Sequence, residues 1–298
     1  MKKLATFLIL LMIALGTVWY FRETVSVTSN SNTLNGKLRV MASDYVVYTL
    51  TKEIGAEEIE LSMLVPPGTE PHHFEPTPGT IIAVNEADLF LYTSEEAEPW
   101  VKDILSGLSK VNGVSVAAVE AEEDTHVWMT PYGALSMAKE IAAALSKKDP
   151  AHKAIYRKNL KQFETQIARL HDEFDKGLSD CKYRDIVHIG HLAFKPLAHT
   201  YGLELQALSG TSKQGEHSVY KITGLVRFIR RQKLGAVFTE ELVPPELART
   251  IATETGVRVL TLYTVEEVSK ADFDSGVTYI EYMHRNLHNL QEGLQCKV

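Results

Sequence analysis

Four short stretches of this chain set metal-capable side chains just beyond apolar, strand-like runs. His72 and His73 stand in PPGTEPHHFEPTP (66–78), after the run 59–65. His126 stands in DTHVW (124–128), beyond the run 114–119. His191 follows the run 185–189 through Gly190, and Glu266 and Glu267 follow the run 258–263. Three stretches offer imidazole and the fourth offers carboxylate. Three nitrogens and one oxygen make a tetrahedral set suited to zinc. A site for Mg or Ca would be built from oxygens instead.

A histidine alone is a weak signal, and most of the eleven have a simpler explanation. His73, His188 and His199 read as structural or as supports for a ligand. His152, His171, His284 and His288 fall on helices among charged neighbours and read as solvated. His217, in GEHS (215–218), stays open. His191 opens a helix, where the positive end of the dipole disfavours imidazolium and favours the neutral, ligating ring.

The elements that must position these residues alternate. Strand signals at 37–42, 59–65, 87–92 and 114–119 are separated by helical segments that include 46–54 and 98–108. A second series follows, with strands at 185–189, 203–207, 235–238 and 258–263 and helices at 192–201, 219–234, 245–255 and 275–294. Pro244 and Pro245 suit the start of the third of those helices, and Gly256 suits its end. Such alternation predicts parallel sheets with helices on both faces, and ligands gather at the carboxyl ends of such strands. Between the two series, Tyr156, Leu160, Phe163, Ile167, Leu170, Phe174 and Leu178 recur at three- and four-residue spacing, as on an amphipathic helix. A helix over 151–178 reaches roughly 40 Å, enough to join two lobes. The fold class is α/β: two lobes, each with a mostly parallel sheet flanked by helices, joined by one long connecting helix. The boundaries are 1–36 for an N-terminal segment, 37–150 and 181–298 for the lobes, and 151–180 for the connector.

The N-terminal segment is basic at Lys2 and Lys3, apolar over 4–21 and polar over 26–33. That order is an export signal. ALG (14–16) would satisfy a small-x-small cleavage site, whereas continuation through Val18, Trp19 and Tyr20 makes the run about long enough for an uncleaved anchor. With no Cys near its end, a lipid anchor is not expected. In an oxidising compartment Cys181 and Cys296 form a disulfide. The formal charge of −7 argues against a nucleic-acid partner.

At the candidate ligands the chain resembles the metal-binding subunits of bacterial zinc/manganese ABC importers. GTEPHHFEPTP matches the family's Gly-x-x-Pro-His-x-Tyr/Phe-Glu-Pro-Thr-Pro segment and places its first ligand on His72. DTHVW matches Asp-Pro-His-x-Trp, with Thr125 in place of Pro, and places the second on His126. GHLAF matches Ser-His-x-Ala-Phe and places the third on His191. VFTEELVPPELARTIATETGVRVL (237–260) resembles the penultimate strand–helix–strand unit, where Glu240 would support a ligand. LYTVE then matches the zinc-type Leu-x-Pro-Leu-Glu and places the fourth on Glu266, with Glu267, Asp274 or water as alternatives because the Pro is missing. The region 118–124 is acidic where many zinc-type members are His-rich.

The resemblance implies a monomeric, extracytoplasmic carrier that is not an enzyme. It would hold Zn2+, with Mn2+ or Fe2+ as alternatives, and deliver it to an ABC permease in the cytoplasmic membrane with its cytoplasmic ATPase. One rival reading is a zinc hydrolase with three histidines and an open position, but no HExxH-type pair is present. Another is a same-fold binder of a chelated metal, which would need a ring of Arg or aromatic residues that the motif loops lack. An adhesive role is a third.

Overall fold

Strand β1 (Leu38–Ala42) pairs with two parallel neighbours at once, Val40 lying opposite Leu61 on one side and Leu89 on the other. That pairing builds the first of two sheets in the computed structural model, which describes residues 36–117, 125–208, 219–242 and 246–297, without the side chains of 219 and 220. After β1 come α1 (Tyr45–Gly55), β2 (Ile59–Met63), α2 (Pro78–Asn85), β3 (Leu89–Tyr92), α3 (Val101–Ser106), β4 (Asn112–Ser115) and α4 (Pro131–Lys148). The long helix α5 (Lys153–Ser179) follows. Then come β5 (Asp185–Ile189), α6 (Lys195–Thr200), β6 (Glu204–Ala207), α7 (Val219–Gln232), β7 (Ala236–Glu240), α8 (Glu246–Thr255), β8 (Arg258–Leu262), α9 (Lys270–Ser275) and α10 (Tyr279–Leu294). The sheets run in the orders β2-β1-β3-β4 and β6-β5-β7-β8. Every pairing is parallel, so the second series repeats the first.

Local chemistry sets the helix starts. Asp44 accepts the Val47 amide at 2.9 Å and caps α1, Thr130 accepts the Gly133 amide before Pro131 opens α4, and Thr278 and Glu281 form a reciprocal capping box on α10. Along α5, Tyr156, Phe163, Ile167, Leu170, Phe174 and Leu178 are buried, as their spacing requires. The helix is more than a strut between two cores. One apolar cluster joins these residues to Val40 and Leu91 of the first sheet and to Ile186, Phe238 and Leu262 of the second.

Several boundaries differ from the sequence reading. The strand expected at 114–119 is β4, Asn112–Ser115, because pairing of Leu89 with Asn112 sets its start. The 98–108 segment keeps only Val101–Ser106 as helix. The segment 192–201 begins as a 3-10 turn, Leu192–Phe194, before α6. The last segment, expected from 275, starts at Tyr279, because Gly276, at φ 73°, ends the preceding helix α9, which the sequence reading lacked, and Thr278 caps the new start. Helices α2 and α4 were not read from the sequence. The export segment with its linker, the acidic stretch 118–124, His217 and the pair Pro244–Pro245 lie outside the described residues.

The sulfurs of Cys181 and Cys296 lie 2.00 Å apart, at bonding distance. Around them the Lys182 amide donates to Gln295 O and the Tyr183 amide to Leu294 O, at 3.3 and 3.1 Å. The end of the chain is thereby tied to the approach to β5.

Candidate metal centre

Each of the three histidines has its Nδ1 side engaged or covered, which leaves Nε2 to converge. His72 lies in the loop after β2, where Trp100 Nε1 donates to Pro71 O at 2.7 Å and the His72 amide donates to Glu70 at 3.0 Å. Its Nδ1 stands 2.6 Å from Ala97 O; a carbonyl only accepts, so Nδ1 carries the hydrogen. His126 immediately precedes the 3-10 turn Val127–Met129, and its Nδ1 lies 3.3 Å from the Thr125 hydroxyl. His191 follows β5, and Glu240 Oε1 accepts both its amide, at 2.9 Å, and its Nδ1–H, at 2.8 Å. A Cβ on Gly190 would stand 2.0 Å from that same oxygen, so only glycine lets the carboxylate reach in.

The Nε2 atoms of His72 and His191 each lie 3.1 Å from that of His126. Glu266 Oε2 lies 3.1 Å from His72 Nε2 and 3.5 Å from His126 Nε2, and Oε1 lies 3.2 Å from His191 Nε2. All four ligand atoms fall within 4.8 Å of one another. A tetrahedron around zinc, with bonds of about 2.0–2.1 Å, has edges of about 3.3 Å, which these separations bracket. Burial is nearly complete, from 9% exposure at His72 to 0% at His126 and His191. Both Glu266 oxygens face these imidazole nitrogens. A buried carboxylate needs a cationic partner, which the imidazolium rings supply in the free site and a zinc ion would supply once bound; the donor set fits zinc.

The charge state corrects the dipole expectation for His191. Burial pulls its pKa down, but the Glu266 and Glu240 carboxylates raise it to about 10. The helix expected to open at His191 begins as a three-residue 3-10 turn before the short helix α6, and its dipole is weak against two carboxylates. Burial likewise lowers His72, yet Glu266 carries it up to about 9. Burial would raise Glu266, but the imidazoles of His72 and His191 hold it well below the usual carboxylate range.

The remaining candidates sort by what they touch. His188 is buried and donates from Nδ1 to His191 O at 3.0 Å, bracing that turn. His73 and His199 are exposed. His152 pairs with Asp149 and Glu58, His171 meets the Tyr201 hydroxyl and His284 pairs with Glu173, while His288 is exposed. Glu267 is buried outside the four-residue cluster, and Asp274 holds Lys270 on the exposed face of α9. Two buried carboxyl groups escaped the sequence reading. Thr93 donates its amide to Glu98 at 2.7 Å and its hydroxyl to Asp44 at 3.4 Å. Burial raises Asp44 to about 7 and Glu98 well above its ordinary value. Asp44 stands just past the carboxyl end of β1, so the strand-end rule could have found it; nothing marked Glu98.

A family profile described as "Zinc-uptake complex component A periplasmic" (ZnuA) matches residues 40–293. Zinc-binding lipoprotein AdcA of Streptococcus pneumoniae serotype 4 is 30% identical over 287 residues, covering 89% of this chain and 57% of AdcA. The chain thus spans little more than half the length of that relative. High-affinity zinc uptake system protein ZnuA of Bacillus subtilis is 30% identical over 295 residues, covering 91% of this chain and 92% of that protein. Among solved structures, the Zn(II)-bound ZnuA-like domain of S. pneumoniae AdcA matches with a TM-score of 0.77 at 31% identity, covering 87% of this chain and 99% of that one. Laminin binding protein of Streptococcus agalactiae matches with a TM-score of 0.79 at 31% identity, covering 86% and 99%.

Proposed function

Since the chain belongs to the family of periplasmic zinc-uptake components A, we propose that it captures one zinc ion between two lobes and hands it to an ABC-type permease in the cytoplasmic membrane, driven by a cytoplasmic ATPase. The family is one of solute-binding components, and the chain is not an enzyme. The ion is cargo. Its ligands are His72, His126 and His191 through Nε2 and Glu266 through a carboxylate oxygen. One observation carries this reading: four buried ligand atoms within 4.8 Å of one another. A site so closed suits carriage, whereas zinc catalysis needs a position left open for water or substrate.

The lobes run over 37–150 and 181–298, with 151–180 between them; the repeated strand order supports that division. The carrier works as a monomer outside the cytoplasm, led there by residues 1–36. In that compartment Cys181 and Cys296 are bridged, so titration of the denatured, unreduced chain finds no free thiol.

Zinc should bind at one ion per chain, and a hundredfold excess of Mn2+ should fail to displace it, because affinity for N/O sites rises from Mn2+ to Zn2+. Competition titration against a chromophoric chelator measures both. Displacement by stoichiometric Mn2+, or no saturable zinc binding, would overturn the function.

A further inference from the structure

Three donors from the first half of the chain fasten the segment that carries Glu266. Trp128 Nε1 donates to Thr264 O at 2.8 Å. The Tyr45 amide donates to Glu266 O at 3.3 Å and the Gly68 amide to Val268 O at 2.8 Å. Three alternate carbonyls of one strap are thus pinned. Two of the donors belong to stretches that already bear ligands: Gly68 precedes His72 in the first motif and Trp128 follows His126 in the second.

Within the strap, Val265 has φ 65° and is fully buried. Left-handed backbone crowds the Cβ of any L-residue, and for a β-branched side chain it is a steric outlier. Such a conformation persists only where the surroundings over-determine it, and pinned carbonyls on both sides do so here. A left-handed residue also rotates the peptide that follows. Glu266 comes directly after that turn, and its carboxylate faces the imidazoles of His72 and His191.

We infer that Val265 is a positioning residue: its left-handed conformation, held by the stapled strap, fixes the Glu266 carboxylate and so sets zinc affinity and the preference for zinc over manganese. The inference rests on the four-ligand reading above. Glycine would adopt the same φ without crowding but would free the strap. A loosely held carboxylate loses affinity for an ion that wants short, fixed bonds, and loses less for a larger ion with more flexible coordination.

The test compares the parent with Val265→Ala, Val265→Gly and, as the floor, Glu266→Ala. Melting of the metal-free proteins is measured together with Zn2+ and Mn2+ dissociation constants from chelator competition. The metal-free Gly variant should melt at or above the Ala variant, reversing their usual order. Its zinc affinity should fall at least tenfold, toward the floor, while its manganese affinity falls less. Trp128→Phe, which loses only the indole N–H donor, should shift the zinc-to-manganese ratio in the same direction and carries the test should Val265→Gly not fold. An Ala variant more stable than the Gly variant, or an unchanged ratio in the folded variants, overturns the inference. A Glu266→Ala protein that binds zinc like the parent would remove the four-ligand premise, and the inference with it.

Discussion

His126→Ala should lower zinc affinity by at least two orders of magnitude while the metal-free protein melts within a few degrees of the parent. His126 is the hinge of the cluster, with its Nε2 3.1 Å from the corresponding atom of both other histidines, and it is fully buried. Residues that merely orient a ligand typically cost 10–100-fold when lost, so loss of a ligand itself should exceed that range. The fold depends little on this ring, because the neighbouring Trp128 and the α4 cap at Thr130 hold the turn independently. Chelator competition and calorimetry read the two quantities. Tight, stoichiometric zinc in the variant would remove His126 from the site.

Zinc binding at pH 7 should expel about two protons per ion, and the zinc-induced rise in melting temperature should be much larger at pH 8 than at pH 5. In the free site the Glu266 carboxylate overcomes burial at both His72 and His191, raising them to about 9 and about 10. Both rings are therefore imidazolium at pH 7, and both must become neutral to ligate. Affinity should gain up to about a hundredfold per pH unit while two protons are displaced. These two raised groups also stabilise the metal-free fold. That contribution is full below the unfolded histidine value of about 6.5 and is lost as pH rises through about 9 and about 10. Rising pH thus weakens the free protein while strengthening zinc binding. A ligand at a thousandfold excess over its Kd adds about 4 kcal/mol, enough to move the melting temperature visibly at pH 8. Calorimetric titration in two buffers of different ionisation heat counts the protons. Release of less than one proton at pH 7, or equal melting shifts at pH 5 and pH 8, would contradict the charge state.

The strands and the three histidines that cluster with Glu266 were legible because their signals are local. His72 sits in a proline-rich turn after a strand, and His191 follows an apolar run through a single glycine. The apolar stripe of α5 is likewise written in one segment. Helix α4 was missed because PYGALSMAKEIAAALSKK buries small residues, with Ala134, Ala138, Ala142 and Ala144 on its inner side; alanine gives little contrast in an apolar pattern. The shared core was not legible either, since Phe163 of α5 joins Val40 and Phe238 of different sheets in one apolar cluster only through the folded topology. Adjacent glutamates were separable only by resemblance. The left-handed backbone at Val265, directly before Glu266, is announced by no pattern around a valine. The charge of His191 depends on Glu240 and Glu266, brought to it from distant strands.

A zinc-bound crystal structure tests the central claim most directly. One ion should be held by Nε2 of His72, His126 and His191 at about 2.0–2.1 Å and by a Glu266 oxygen at about 2.0–2.2 Å, with no water in the coordination sphere. An ion seated on other residues, or a water in the fourth position with Glu266 turned away, would contradict the account of an enclosed carrier site.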